Sequence, residues 1–279
     1  MTSRPPRISR TGKSLVGFTY ILFIVLLIVP LVQIVLGAGE QGLGSFTQSL
    51  LRPEALHAMW MTLSVVIVVT LLNTFFGILT AIVIVRGDWL GRRVRQLMNS
   101  IIDLPFAVSP VIGGFMIVLL LGPHTVLGAF LAKVGVPVVY AFPGMVLATL
   151  FVTFPLMVRE VVPVLQEIGT QQEEAASLLG AYSWTTFWKV TWPSIRWGVT
   201  YGVVLTIARS LGEFGAVLVV SGNIINKTQT MTTLVYQDVD NFNIAAANSV
   251  SLVLAIGSVT LLLLMEWAKK RKGVQADAH

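Results

Sequence analysis

The chain has 279 residues, 55% of them hydrophobic and only 11% charged, with a net charge of +6. An ordinary soluble domain carries about 25% charged residues, so the composition is that of an integral membrane protein rather than a soluble enzyme. Cysteine is absent, which excludes disulfides, thiolate metal sites and cysteine nucleophiles, and His57, His124 and His279 stand without ligand spacing, so no metal or other cofactor is expected in this chain.

Residues 1–14, with Pro5 and Pro6 among basic side chains, read as an unstructured cytoplasmic tail. Thr11-Gly12-Lys13-Ser14 resembles the end of a P-loop, but Arg7 stands where the first glycine is required and no strand precedes it. Any ATP chemistry must therefore belong to another chain. Six apolar runs follow: Leu15–Leu36, Ala58–Val85, Leu97–Leu121, Tyr140–Val158, Trp197–Val220 and Ile244–Met265. Each approaches or exceeds the ~20 residues that a rise of about 1.5 Å per residue needs to cross a hydrocarbon core of about 30 Å. The first run is longer than the ~7–15 residues of a signal-peptide apolar region and lacks a clear A-x-A site after it, so it reads as a retained span.

The charges fix the topology. Fifteen of the 19 Lys and Arg residues fall in alternate connections: the N-terminal tail, Arg86–Arg95, Arg159–Arg196 and Lys269–Lys272. Arg52, Lys133 and Lys227 fall on the other side, and Arg209 lies within a span. The positive-inside rule then puts both termini and the 159–196 loop in the cytoplasm. The basic balance reports orientation, not a nucleic-acid partner.

The external connections at about 37–57, 122–139 and 221–243 hold turn formers and short amphipathic pieces. His124–Val134 reads as a short helix ended by Gly135 and Pro137, serving either as a surface loop or as part of a docking platform. Span three opens "IIDLPFAVSPVIGG", and Pro105 and Pro110 should kink or break it. Broken backbone at membrane depth is tolerated only under protein or beside a water-filled cavity, so span three is expected next to the bundle interior. Asp103 either reaches the cytoplasmic interface or, with Ser109, lines a path.

Beyond the cytoplasmic loop, span five carries "VVLTIARSLGEFGAVLVVSG". Arg209 and Glu213 are four apart and can pair on a helix, with Gly202 and Thr206 on the same stripe and Ser210 beside it. The pair is read either as an ion pair between helices or as a gate in the pathway. Gly198 and Gly202 form a small-xxx-small step for close packing.

The loop before span five reads "EEAASLLGAYSWTTFWKVTWP" from Glu173 to Pro193. Glu173–Leu179 is expected as a helix that Gly180 ends in a left-handed conformation. Ser183 is then expected to cap a second short helix from Trp184 to about Thr191, with Trp184, Phe187 and Trp188 on one face. Such short helices are unstable alone in water, so they pack either on this chain's own spans or, through the first helix, into a partner's groove.

The pattern Glu174-Ala175-Ala176, Gly180, Val190 and Pro193 resembles the EAA motif of bacterial ABC importer permeases, with Val190 and Trp192 in place of the usual Ile and Leu. The stretches 103–114, 208–224 and 228–236 look like the sulfate/thiosulfate permease subfamily of CysW type, close to molybdate and tungstate permeases. The resemblance implies an all-α fold of type I ABC importers, with six transmembrane helices. It divides the chain into a tail at 1–14, a first span at 15–36, a permease core at 58–267 containing a coupling loop at 159–196, and a basic tail at 268–279. It also implies a bacterial inner-membrane location and a second permease subunit, of the different CysT type. Two ATP-binding subunits would carry ATP and Mg, and an extracytoplasmic sulfate-binding protein would deliver the anion. Glu174, Ala175, Ala176, Gly180 and Pro193 would couple to the ATPase. An ATP-independent secondary transporter is the rival, but no inverted repeat or midplane carboxylate cluster supports it.

Overall fold

The computed structural model describes residues 10–40, 42–87 and 89–276. Residues 1–9 of the expected tail, with Arg4, Pro5, Pro6 and Arg7, lie outside the described residues, as do 277–279 with His279. Among the described residues all regular structure is helical, as the composition and periodicity predict.

Helix α1 (Arg10–Gly39) is the first span, and α2 (Gly42–Leu51) follows it on the external side. The second span is α3 (Pro53–Arg86), longer at its external end than the apolar run because Pro53 occupies the first helical turn, where its missing N–H costs nothing. Span three is divided into α4 (Arg92–Ala107) and α5 (Pro110–Leu121), bent by 112° at Val108–Ser109. Only Pro110 starts a new helix. Pro105 is accommodated in the last turn of α4, so the double kink the sequence suggests resolves into one break.

External helix α6 (Val126–Lys133) is capped by the Thr125 hydroxyl, which accepts from Gly128 N–H. Span four, α7 (Phe142–Ile168), continues about ten residues past the apolar run into the cytoplasm, and α8 (Gln171–Leu178) follows at once. Next come α9 (Ser183–Thr186), a π-helical turn (Phe187–Thr191) and α10 (Trp192–Leu211), one uninterrupted rod. The second cytoplasmic helix therefore does not stop at Pro193 but becomes span five. Pro193 sits in the first turn of α10, and the wider π turn, with Trp192 N–H on Phe187 O, carries the backbone past it.

Span five does not run unbroken to Val220. It stops at Leu211, and after Gly212–Phe214 it resumes as α11 (Gly215–Ser221), bent by 59°. External α12 (Met231–Asp240) begins with a capping box between Thr230 and Thr233, and its first N–H donates to the Thr62 hydroxyl of α3 at 2.9 Å. Arg52 holds the far end of α12 through Asp238, with Nη1 3.0 Å from Oδ1. Span six is α13 (Ile244–Ala276).

Four helices are thus long and apolar enough to span, and two bent pairs bring the number to six among the described residues. The main core joins α3, α7 and α10, with Ala81, Met157, Val161 and Ile195 fully buried. Buried Asn73 of α3 donates to Thr153 of α7 at 2.7 Å. The predicted small-residue step closes α10 on α7: the position of an added Cβ lies 2.9 Å from Glu160 O at Gly198 and 2.5 Å from Met157 Sδ at Gly202.

The two breaks meet. An added Cβ at Gly215 would lie 3.0 Å from Val111, and one at Gly114 would lie 2.6 Å from the carbonyl oxygen of Ala216. The helices that restart after the two breaks thus pack on each other, while Ser109 and Gly212 within the breaks stay exposed. Gly114→Ala should force α5 and α11 apart at a cost of about 1–3 kcal/mol of overpacking. The purified protein's midpoint of thermal unfolding in detergent should fall, whereas Gly44→Ala, with nothing within 4 Å, should leave it in place. Equal midpoints would remove the close approach of the breaks.

Candidate functional site

Two clusters hold the residues singled out in the sequence, one in the cytoplasm and one at the helix breaks.

In the cytoplasm, α8 ends as its sequence demands. Gly180 has φ +82°, its N–H reaches Ser177 O at 2.9 Å and Ala181 N–H reaches Ala176 O at 3.0 Å. These two bonds form a Schellman cap, which favours glycine at this position. The helix buries none of its residues: Glu174, Ala175 and Gly180 are exposed, and Leu178 and Leu179 are 90% and 89% exposed. Two leucines uncovered to this extent leave an apolar surface beside an exposed carboxylate. Glu174–Gly180 thus projects outward, whereas Pro193 lies in the base of span five, beyond the π turn.

Ser183 does not cap a helix. It is the first residue of α9, the N-cap position falls on Tyr182, and no side chain caps that end. The aromatic face does form and extends by one ring: Trp184 stacks on Phe187 at 6.4 Å, Phe187 meets Trp188 at 5.2 Å and Trp188 meets Trp192 at 5.8 Å.

The acidic residue that faces inward is Glu173. Its Oε2 lies 2.8 Å from Arg86 Nε at the end of span two, and its Oε1 accepts from the Thr191 hydroxyl at 2.8 Å. Arg86 Nη2 also donates to Gly169 O at 2.5 Å. The sequence shows Arg86 only as one of the topology-setting charges. The first of two adjacent glutamates was its sole hint of a partner.

At the breaks, Arg209 Nη1 lies 2.9 Å from Glu213 Oε2, so the predicted pairing forms. Glu213 does not stand on a continuous helix, as the spacing predicts, but in the interruption after α10. Its Oε1 accepts from Ala216 N–H at 3.0 Å and caps the restarted helix, while its carbonyl accepts from the Thr232 hydroxyl at 2.8 Å. Glu213 is almost wholly buried, but the Arg209 side chain is 39% exposed. Thr206 and Ser210 lie on the same face of α10, both buried, and neither hydroxyl has a hydrogen-bond partner among the described residues.

Ser109 is exposed in the break of span three. Asp103 pairs with Arg159 of α7, with Nε 2.9 Å from Oδ1 and both side chains 43% exposed. A pair that open to solvent contributes about 0–1 kcal/mol, so it links α4 and α7 weakly.

Residues 76–272 match the profile of a family described as the binding-protein-dependent transport system inner membrane component. The sulfate transport system permease protein CysW of Synechocystis is 40% identical over 273 residues, 98% of each chain. CysW of Escherichia coli K12 is 39% identical over 95% of this chain and 92% of that one. Its CysT counterpart is 33% identical over 94% of both. A chain of a bacterial alginate ABC transporter, crystallised with an alginate-bound periplasmic protein, superposes with a TM-score of 0.76 over 93% of both chains at 18% identity, a likeness of fold.

Arg209→Ala strands the Glu213 carboxylate without its cation, while Arg209→Ala/Glu213→Ala removes both charges. The expected coupling between the sites is about 0.5–3 kcal/mol, read from thermal unfolding of the purified protein, with the double variant recovering part of the loss. Recovery should be incomplete because Glu213 also caps α11. Strictly additive effects would show that the pair does not contribute as a pair.

Proposed function

Because this chain belongs to the family of binding-protein-dependent transport system inner membrane components, we propose that it is the permease subunit of an ATP-driven importer of sulfate and thiosulfate, working beside a second, CysT-type permease. The observation that carries the coupling half of this reading is α8, whose uncovered Glu174, Leu178 and Leu179 project from a chain with no nucleotide-binding motif of its own. The anion is carried over from the CysW relatives, which resemble this chain over nearly its whole length.

Two ATP-binding subunits hold ATP and Mg. Glu174, Ala175, Ala176 and Gly180 form the surface that docks into one of them, in the manner of a helix laid in a groove. Ala175 and Ala176 permit close approach, Leu178 and Leu179 supply the apolar contact, and the left-handed Gly180 fixes where the helix stops. Pro193 sets the start of span five behind that surface. Closure of the ATPases on ATP moves α8, and the bundle switches from inward-facing to outward-facing.

The pathway runs along span five and the meeting of the breaks. Buried hydroxyls normally have partners, and the unpaired ones of Thr206 and Ser210 support a place on the route that opens when the neighbouring helix breaks reorient. Arg209 and Glu213 nearly cancel in charge and give this route little intrinsic affinity for a divalent anion. That suits a permease fed by an external binding protein, because a strongly held anion would not leave. Ser109 and Asp103 line the cytoplasmic approach along span three.

In vesicles containing the assembled complex and a sulfate-loaded binding protein, labelled sulfate should accumulate only with hydrolysable ATP. Gly180→Pro, whose ring imposes φ near about −65° where the chain needs a positive value, should still insert but lose ATP-dependent uptake. Uptake at the wild-type rate by this variant, or accumulation without ATP, would overturn the assignment.

A further inference from the structure

The contact surface of α8 raises a mechanical question. A helix that buries none of its residues has little packing through which to push on the membrane spans. Its neighbours in the fold are chiefly α9 and the π turn. What ties it firmly is one polar joint, formed by Arg86, Gly169, Glu173 and Thr191.

Each member of that joint belongs to a different element. Arg86 is the last residue of span two, Gly169 is the turn between span four and α8, Glu173 is in the first turn of α8, and Thr191 closes the π turn leading into span five. Both oxygens of the Glu173 carboxylate are engaged, one by the guanidinium and the other by the hydroxyl, at 2.8 Å each. Arg86 uses a second nitrogen to hold the Gly169 carbonyl, so span two grips α8 and the preceding turn together.

The joint is also drier than a surface pair. Side-chain exposure is 16% for Arg86 and 21% for Glu173, and Thr191 is buried. The space behind it, between Leu165, Ile168, Val190 and Ile195, is too narrow to admit water. Charge-assisted hydrogen bonds with restricted water access are stiffer and stronger than exposed ones. On the outer side Arg86, Glu173 and Thr191 also line an open groove of about 380 Å³ beside α8 and the π turn, so the joint is shielded on its inner side only.

We infer that Arg86, Glu173 and Thr191 are positioning residues that form the transmission joint of this permease, passing the displacement of α8 to spans two and five. The inference rests on the proposed ATP-driven import and adds a division of labour between two adjacent glutamates: Glu174 meets the partner, and Glu173 holds the spans. The π turn is part of the device, because Thr191 must face back toward α8 while Pro193 begins span five. Without the joint, α8 would follow the ATPase and the bundle would lag behind.

The test uses the assembled transporter in liposomes and reads sulfate imported per ATP hydrolysed, corrected for the amount of assembled complex. Glu173→Gln removes the charge at constant volume, and Thr191→Val removes one hydroxyl while preserving the ion pair. The ratio should fall well below the wild-type value for Glu173→Gln and by a smaller factor for Thr191→Val. A purely structural joint would lower the yield of complex and leave the ratio at the wild-type value in both variants, which would overturn the inference. If Glu173→Gln does not assemble, Thr191→Val decides alone by the same ratio. Wild-type complex that hydrolyses ATP without importing sulfate would instead overturn the functional reading, an outcome distinct from failure of the joint.

Discussion

A helix interrupted inside a membrane has backbone donors and acceptors that lipid cannot satisfy, and in this bundle the helices that restart after the two interruptions pack on each other. The break before Pro110 and the break at Gly212–Phe214 pack against each other, with Gly114 and Gly215 letting α5 and α11 approach at backbone distance. Glu213 contributes its carboxylate to the restarted helix and its carbonyl to Thr232 in α12. The interruption thereby links the bundle interior to the external cap. Placing the pathway beside these breaks makes physical sense, because short helical segments joined at a break can reorient without unpacking the long α3–α7–α10 core.

That core is the rigid part. Met157, Val161 and Ile195 fill it, Asn73 hydrogen-bonds across it, and Gly198 and Gly202 seat α10 directly on α7. Its cytoplasmic end carries α8, where the proposed coupling to an ATPase is made. On the first turn of α8, Glu174 is exposed while the adjacent Glu173 turns inward to Arg86 and Thr191, and the proposed coupling assigns a separate role to each. Spans two and five enter the membrane from the point where that contact is made.

Much of this was legible in the sequence because it depended on local chemistry. Composition and alternating basic loops gave the membrane class and topology, Pro110 marked the break of span three, and Gly180 marked the end of α8. Features requiring distant residues were hidden. Arg86 and Glu173 are 87 positions apart, so Arg86 read as one more cytoplasmic charge. The break in span five has a local sign in Gly212 and Gly215, but the Arg209–Glu213 spacing suits a continuous helix and conceals it. Ser183 had the chemistry of a cap, but the chain enters α9 one residue earlier, and the π turn carries that helix past Pro193 where a stop was expected.

ATP-driven motion that passes sulfate through this permease is testable by labelled-sulfate uptake in a bacterial strain lacking its own sulfate permeases, complemented by this chain with its partner subunits and challenged with excess molybdate. Sulfate uptake should be restored, depend on energy and resist suppression by molybdate. Restored molybdate uptake without sulfate uptake would contradict this assignment.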